Sequence, residues 1–394
     1  MEKLAFCDGE KLGVFDGENT SFFESNYIRR YREYAETRTK NDEWKFGGEG
    51  ARFRGDYDRA RLKQEKIYAS VNAVQWDGEK LIYAATVNGS SAIYRKDLSD
   101  EKAAEEHIIS SSDESFCSLH RAGNLLAVTV EHGDATSSIG TLDCATAELK
   151  TLTDGDSRDA NAVFSSGADA ILFDTMGVGR TSDGEFTGKY APAAVCSLDL
   201  NTLEIKEILQ DGKYSYVHPK QAKDGALYCI RRPAKAKRRG NVFLDILLIP
   251  FRILQAIVMF IQYFVIAMTG KSLTSEGDNP AKGREQNSRK LFVDGNFIEA
   301  EKEMKRNRKQ KDADYGFIPR SWELIRIFQG KTETIKSGVC DFALCRDGGV
   351  YCTNGRRIFY VSEGVSKKIA EAEKCLCVAT AENSDRKTDD LFGL

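Results

Sequence analysis

Five polar residues stand inside otherwise apolar stretches: Asn72 in VNAVQW, His120 in FCSLH, Asn161 in NAVF, His218 in YVHPK and Asp341 in CDFAL. A histidine and a carboxylate brought together away from water can exchange protons with a substrate, and do so best when their pKa lies near the working pH. If all five converged on one channel mouth, they would suit a hydrolase or a lyase. The competing reading is structural, because a polar group inside a fold is normally bonded to that fold. His218, near an inner strand, reads first as such a satisfied histidine.

Other chemistry-bearing patterns fall short of a mechanism. The four histidines (His107, His120, His132, His218) show no H-E-x-x-H or other metal spacing. MTGKSL at 268–273 has Val265 where a phosphate-binding loop needs a glycine. Gly177 and Gly179 of MGVGRTSDG lie in a hairpin loop and not between a strand and a helix. No G-x-S-x-G elbow occurs. One loop could hold an anion: in GGEGARFRGD, Gly47, Gly48 and Gly50 offer backbone amides, and Arg52 and Arg54 offer guanidinium groups. No catalytic residue, metal or cofactor is assigned.

Ten cysteines are present, most of them in strand-like apolar runs and none in a C-x-x-C spacing. They read as reduced, buried thiols. Cys375 and Cys377 alternate in CLCVAT, which predicts one shared strand face. MEKLAFCDGEKLG lacks a basic region followed by an apolar one, so no secretory signal is expected. A reducing, cytoplasmic setting follows.

The positioning elements emerge from a repeat. A short apolar strand, a Gly/Asp turn and a second strand recur as VNAVQWDGEKLIYAAT, FCSLHRAGNLLAVTVE, NAVFSSGADAILFDTM, YVHPKQAKDGALYCIRR and CDFALCRDGGVYCTNG. The turn glycines Gly78, Gly123, Gly167 and Gly225 are spaced by about one propeller blade, and two further strands follow each pair. Removing a long insertion restores similar spacing to Gly348. A sixth unit can be assembled from CLCVAT together with KLAFCDG, KLGVFDG and NTSFFES. The chain thus resembles the β-propeller superfamily. That resemblance implies an all-β, six-bladed propeller, with five or seven blades the alternatives, and implies no particular activity.

The expected divisions are 1–24 as strands completing the last blade, 25–66 as a helical and loop insertion, 67–232 as blades, 233–314 as a basic, apolar insertion, 315–380 as the remaining blades and 381–394 as a polar tail. Tyr27, Tyr31 and Tyr34 share a face of the helix that opens the first insertion.

The second insertion is the loudest feature. VFLDILLIPFRILQAIVMFIQYFVIAM at 242–268 is long enough to cross a bilayer. It follows Arg231, Arg232, Lys235, Lys237, Arg238 and Arg239. Residues 231–314 hold 18 Lys and Arg against 10 Asp and Glu, leaving 39 against 50 elsewhere. A basic, greasy insertion on an acidic body suits an anionic surface. At about 100° per residue, Asp245, Arg252, Gln255 and Gln262 fall on one arc of roughly 100°. Phe243, Leu247, Phe251, Leu254, Ile257, Phe260, Ile261 and Phe264 are the expected lipid-facing residues of an interfacial helix. Both ends return to one blade, which disfavours a single crossing. The reading is a non-enzymatic, membrane-associated scaffold on the cytoplasmic side. Its partners are an anionic membrane or membrane protein, and a protein held by the propeller loops. The alternatives are a channel-mouth enzyme and a soluble propeller that forms a homodimer through its apolar helix. Nucleic acid is disfavoured by the acidic body.

Overall fold

A computed structural model describes residues 2–43, 67–100, 103–234, 290–309 and 314–381. Short apolar runs between glycine and aspartate turns form strands throughout. Blade I holds β1 (Leu4–Asp8), β2 (Lys11–Phe15) and β3 (Thr20–Glu24), with α1 (Asn26–Glu43) following. Blade II is β4 (Ala69–Asp77), β5 (Lys80–Val87), β6 (Ser90–Asp97) and β7 (Glu106–Ser111). Blade III is β8 (Ser115–Ala122), β9 (Leu125–Glu131), β10 (Ser137–Asp143) and β11 (Leu149–Thr151). Blade IV has β12 (Ser157–Phe164), β13 (Ala170–Arg180), β15 (Ala194–Asp199) and β16 (Ile205–Leu209), with β14 (Phe186–Tyr190) pairing on an extension of β13.

Blade V is β17 (Tyr214–Gln221), β18 (Leu227–Pro233), β21 (Glu323–Phe328) and β22 (Lys331–Ser337). Between β18 and β21 come the hairpin β19 (Lys290–Val293) and β20 (Asn296–Glu299), then α2 (Ala300–Lys309). Blade VI is β23 (Asp341–Leu344), β24 (Val350–Thr353), β25 (Gly355–Ser362) and β26 (Val365–Cys375). Finally β27 (Val378–Thr380) pairs with β1, so blade I takes strands from both ends of the sequence. β18 and β21 pair directly from Leu227↔Ile327 to Arg231↔Glu323, across the long insertion. Among the described strands the pairing gives four four-stranded sheets, a nine-stranded sheet in which the parallel pair Ser137↔Arg158 joins blade III to blade IV, and the two-stranded β19–β20 hairpin.

Apolar cores lie between successive units and close a ring. Trp76 and Tyr83 pack against Leu12 between blades I and II. Phe116 and Leu126 join II to III, and Phe164 and Ile139 join III to IV. Val195 meets Cys229 between IV and V. Trp322 and Phe342 lie between V and VI, and Phe6 and Tyr351 between VI and I. The last contact packs the final unit against the first among the described residues.

Helix α1 starts at Ser25, whose hydroxyl caps the Ile28 amide at 3.3 Å. Its N-terminus is fixed by Glu105, which accepts from Asn26 N at 3.1 Å, from Lys96 Nζ at 2.9 Å and from the Tyr83 hydroxyl at 2.5 Å. A carboxylate there also complements the helix dipole. Tyr27 and Tyr31 pack toward blade II, and Tyr27 lies 5.3 Å from Tyr94. Tyr34 stays exposed.

Two sequence expectations change. Cys375 and Cys377 do not share a core: Cys375 lies between blades VI and I, and Cys377 packs toward blades II and III. Residues 376 and 377 pass from one ladder to the next, so period-2 alternation does not carry across them. The end of the second insertion is also part of the propeller body, since Val293 and Ile298 join the core and Asn307 of α2 is buried, donating to Gly316 O and Ile318 O at 3.0 Å.

Candidate functional site in the central channel

The inner strands surround a cavity of about 540 Å³. That size lies within the range of small-ligand sites. Asn72, His120, Asn161, His218 and Asp341 all line it. For Asn72, Asn161 and His218 the local cause is a repeated bulge. Four inner strands slip register against their neighbours, between Val71/Ala73, Phe116/Ser118, Ala160/Val163 and Val217/Lys220. A bulge inserts an unpaired residue and re-aims its side chain. Asn161 and His218 occupy two of these slips in the left-handed region, at φ 56° and 53°. Asparagine tolerates that conformation, whereas histidine needs its surroundings to hold it there.

The surroundings of His218 supply that hold. Its Nε2 lies 3.1 Å from Asp294 Oδ2, and its Nδ1 lies 3.2 Å from Asp341 Oδ1. Its backbone amide donates to Asp174 Oδ1 at 3.0 Å. Burial opposes the charge on the ring, but Asp294 and Asp341 outweigh burial and push its pKa up to about 10. Burial likewise opposes ionisation of Asp294, yet His218, Arg232 and Arg158 hold that carboxyl well below the usual range. Asp341 is also lowered against burial, by the Lys220 ammonium and by His218. Burial pushes Asp174 up to about 6. Its Oδ1 also accepts from Asn161 Nδ2 at 2.8 Å, while its Oδ2 has no partner.

Asp294 comes from the tip of the β19–β20 hairpin. Asp294 and Gly295 have φ of 45° and 74°, as a tight two-residue hairpin turn requires. Arg232 fixes this tip: its guanidinium donates to Asp294 O at 2.7 Å and lies 5.0 Å from the Trp322 ring. Lys220 donates to Phe342 O and pairs with Asp341 at 3.4 Å.

The five sequence candidates therefore do different work. Only His218 and Asp341 bond to each other. Asn161 reaches them through Asp174 and Asp294. Asn72 ties blade II to blade III by donating to Phe116 O at 3.2 Å. His120 Nδ1 accepts from Phe164 N at 3.1 Å and ties blade III to blade IV. Among the described residues, no group of three His, Cys, Asp or Glu is arranged to hold a metal ion.

A protonated imidazole has two donors and no acceptor. His218 spends both donors on carboxylates, so near neutral pH it has no lone pair with which to take a proton. What the arrangement does is lock three segments together: β17, the start of β23 and the hairpin returning from the insertion.

Sequence reasoning missed Asp294, Asp174, Arg158 and Lys220. A signal for the first was present, since FVDGNF is an Asp-Gly pair between apolar residues, a strong hairpin cue. Arg232 needs correction as a membrane contact. Arg231 pairs with Glu323 at 2.7 Å and lies 4.9 Å from the Tyr214 ring, and Arg232 is buried. Strand β18 continues through both, and the buried Arg232 is not presented to a headgroup. Lys235 to Phe264, and the loop candidates Gly47 to Arg54, lie outside the described residues. No helix among the described residues is long and apolar enough to cross a membrane.

No protein-family model matches the sequence. No curated protein matches it. Among solved structures the chain is similar to TolB from Acinetobacter baumannii, at 12% identity and a TM-score of 0.49, over 96% of this chain and 66% of that one. It is similar to the tricorn protease at 12% identity and 0.40, over 96% and 30%. It is similar to a luciferin-regenerating enzyme at 8% and 0.38, over 79% and 76%. The chain spans just under two thirds of the first and under a third of the second. Likenesses this distant assign no activity. The β-propeller architecture stands on the strand pairing and on the cores between blades.

Proposed function

We propose that this chain is a non-enzymatic β-propeller scaffold that docks to an anionic membrane surface from the cytoplasmic side, through residues 235–268. Its propeller loops are then free to hold a protein partner. The observation carrying the non-enzymatic reading is the double capture of His218 by Asp294 and Asp341. The group best suited to acid–base work is committed to the fold.

The docking reading rests on sequence and on where the insertion is anchored. Ala234 N donates to Lys213 O at 2.9 Å, so the chain leaves the propeller there. It returns in the β19–β20 hairpin, whose tip is bound to His218. A segment tethered at both ends to one body suits docking at an interface better than a single crossing. Lys235, Lys237, Arg238 and Arg239 precede the apolar run. At about 1 kcal/mol each, they would contribute roughly 4 kcal/mol at an anionic surface.

The test is co-sedimentation of the full chain with phosphatidylserine-containing and with purely phosphatidylcholine vesicles, at low and raised salt. Pelleting with the anionic vesicles alone, weakened by salt, is expected. Equal pelleting with both, or with neither, would refute the reading. The cavity's size favours a second reading, a channel-mouth hydrolase or lyase. Hydrolysis of a model ester or peptide that is lost in a folded His218→Asn variant would favour it.

A further inference from the structure

The seam that closes the propeller carries two facing thiols. β1 and β27 pair antiparallel as Leu4↔Thr380, Ala5↔Ala379 and Phe6↔Val378. One step beyond the last of these pairs, Cys7 N donates to Cys377 O at 3.1 Å, which sets the two residues beside each other. A hydrogen-bonded antiparallel pair sits at about 5.5 Å between Cα atoms. A disulfide needs about 4.4–6.8 Å. Directly opposed residues also point to one face. Both thiols line the channel cavity, and both are free. The neighbouring thiols are turned elsewhere: Cys375 lies in the core between blades VI and I, and Cys340 donates to Thr353 O and Cys375 O.

We propose that Cys7 and Cys377 form a reversible disulfide that covalently locks the strands closing the propeller ring. The oxidant is hydrogen peroxide entering the channel. Cys377 is only partly buried, whereas Cys7 is 2% exposed and its thiol is held up by burial. Cys377 therefore takes the first step. Its sulfur attacks one peroxide oxygen and the O–O bond breaks. A sulfenic acid forms, and the departing oxygen leaves as water with the thiol proton. The Cys7 sulfur then displaces the sulfenic hydroxyl, which leaves as a second water with the Cys7 proton. Two thiols are oxidised to one disulfide, and one peroxide is reduced to two waters. A thiol reductant reverses the bond by exchange.

Such a bond would join residue 7 to residue 377 and restrain nearly the whole unfolded chain. Stabilisation by a cross-link grows with the loop it closes. Among the described strands, β27 holds β1 over only three residue pairs.

The test treats full-length protein with hydrogen peroxide, alkylates the remaining thiols, digests with trypsin and maps the products by mass spectrometry. Expected is a cross-link between the peptides Leu4–Lys11 and Cys375–Arg386, removed by dithiothreitol. It should persist in Cys375→Ala and vanish in Cys377→Ser, where the partly buried position tolerates serine. The urea midpoint should rise on oxidation of the native sequence and of Cys375→Ala, and stay put in Cys377→Ser. A cross-link that survives in Cys377→Ser would overturn the assignment. So would oxidation to sulfinic acid with no cross-link, or thiols that do not react.

Discussion

Replacing His218 by asparagine probes the channel lock through the pH dependence of stability. Asparagine tolerates the left-handed backbone at this position, so the change removes the titrating ring with little added strain. The ring's pKa is about 10 in the folded protein against 6.5 for a free histidine. A raised folded-state pKa means that the ring's contribution is complete below pH 6.5 and is lost as pH rises toward 10. The lowered carboxyl of Asp294 works the other way, with its contribution lost in acid. Between pH 7 and 9 the folded protein holds about one more proton at His218 than the unfolded chain does. At about 1.4 kcal/mol per pH unit, the native sequence should lose roughly 2.5 kcal/mol more than His218→Asn across that interval. Urea unfolding of both proteins at pH 7, 8 and 9 reads this difference. Groups remote from His218 cancel, whereas the Asp174 carboxyl, which His218 holds down, rises in the variant and offsets part of it. Parallel stability curves would refute the claim that His218 is held as an imidazolium between Asp294 and Asp341.

Glu105→Ala strands the Lys96 ammonium, since the side chains of this ion pair are only 2% and 3% exposed. A loss of about 3–5 kcal/mol in urea unfolding is expected, and a loss below about 1 kcal/mol would contradict the tethering of α1 to blade II through that carboxylate. Gly355 has φ +90°, and an added Cβ would meet the Phe317 ring at 2.5 Å. Gly355→Ala should therefore cost about 3 kcal/mol, from strain and overpacking together. Unchanged thermal unfolding would show that blade VI yields at this point.

Most of the architecture was legible because blades are local. Each repeat of strand, Gly/Asp turn and strand declares its own hairpin, and the spacing of Gly78, Gly123, Gly167 and Gly225 declares their succession. Even the pairing of β18 with β21 could be read by setting the insertion aside. The channel was legible in part, since polar residues set inside apolar inner-strand runs pick out Asn72, His120, Asn161, His218 and Asp341. What those residues do was not legible, because their partners come from far along the chain. Asp294 reaches His218 only after the insertion folds back, and Cys7 meets Cys377 only when the ring closes. Arg232 was misread because a basic run and the end of a strand overlap. Pairing carries β18 as far as Pro233 and turns Arg232 toward Trp322.

The docking claim is tested most directly by two full-length variants. One replaces residues 235–289 by a short Gly/Ser linker and keeps the hairpin and α2. The other carries Lys235→Gln, Lys237→Gln, Arg238→Gln and Arg239→Gln. Partitioning onto phosphatidylserine vesicles is measured at low salt beside the native chain. The account predicts that the linker variant stays folded and no longer binds, and that the four-charge variant binds up to roughly a thousandfold more weakly, since four charges at about 1 kcal/mol correspond to nearly three decades. Native-like vesicle binding by the linker variant would contradict it.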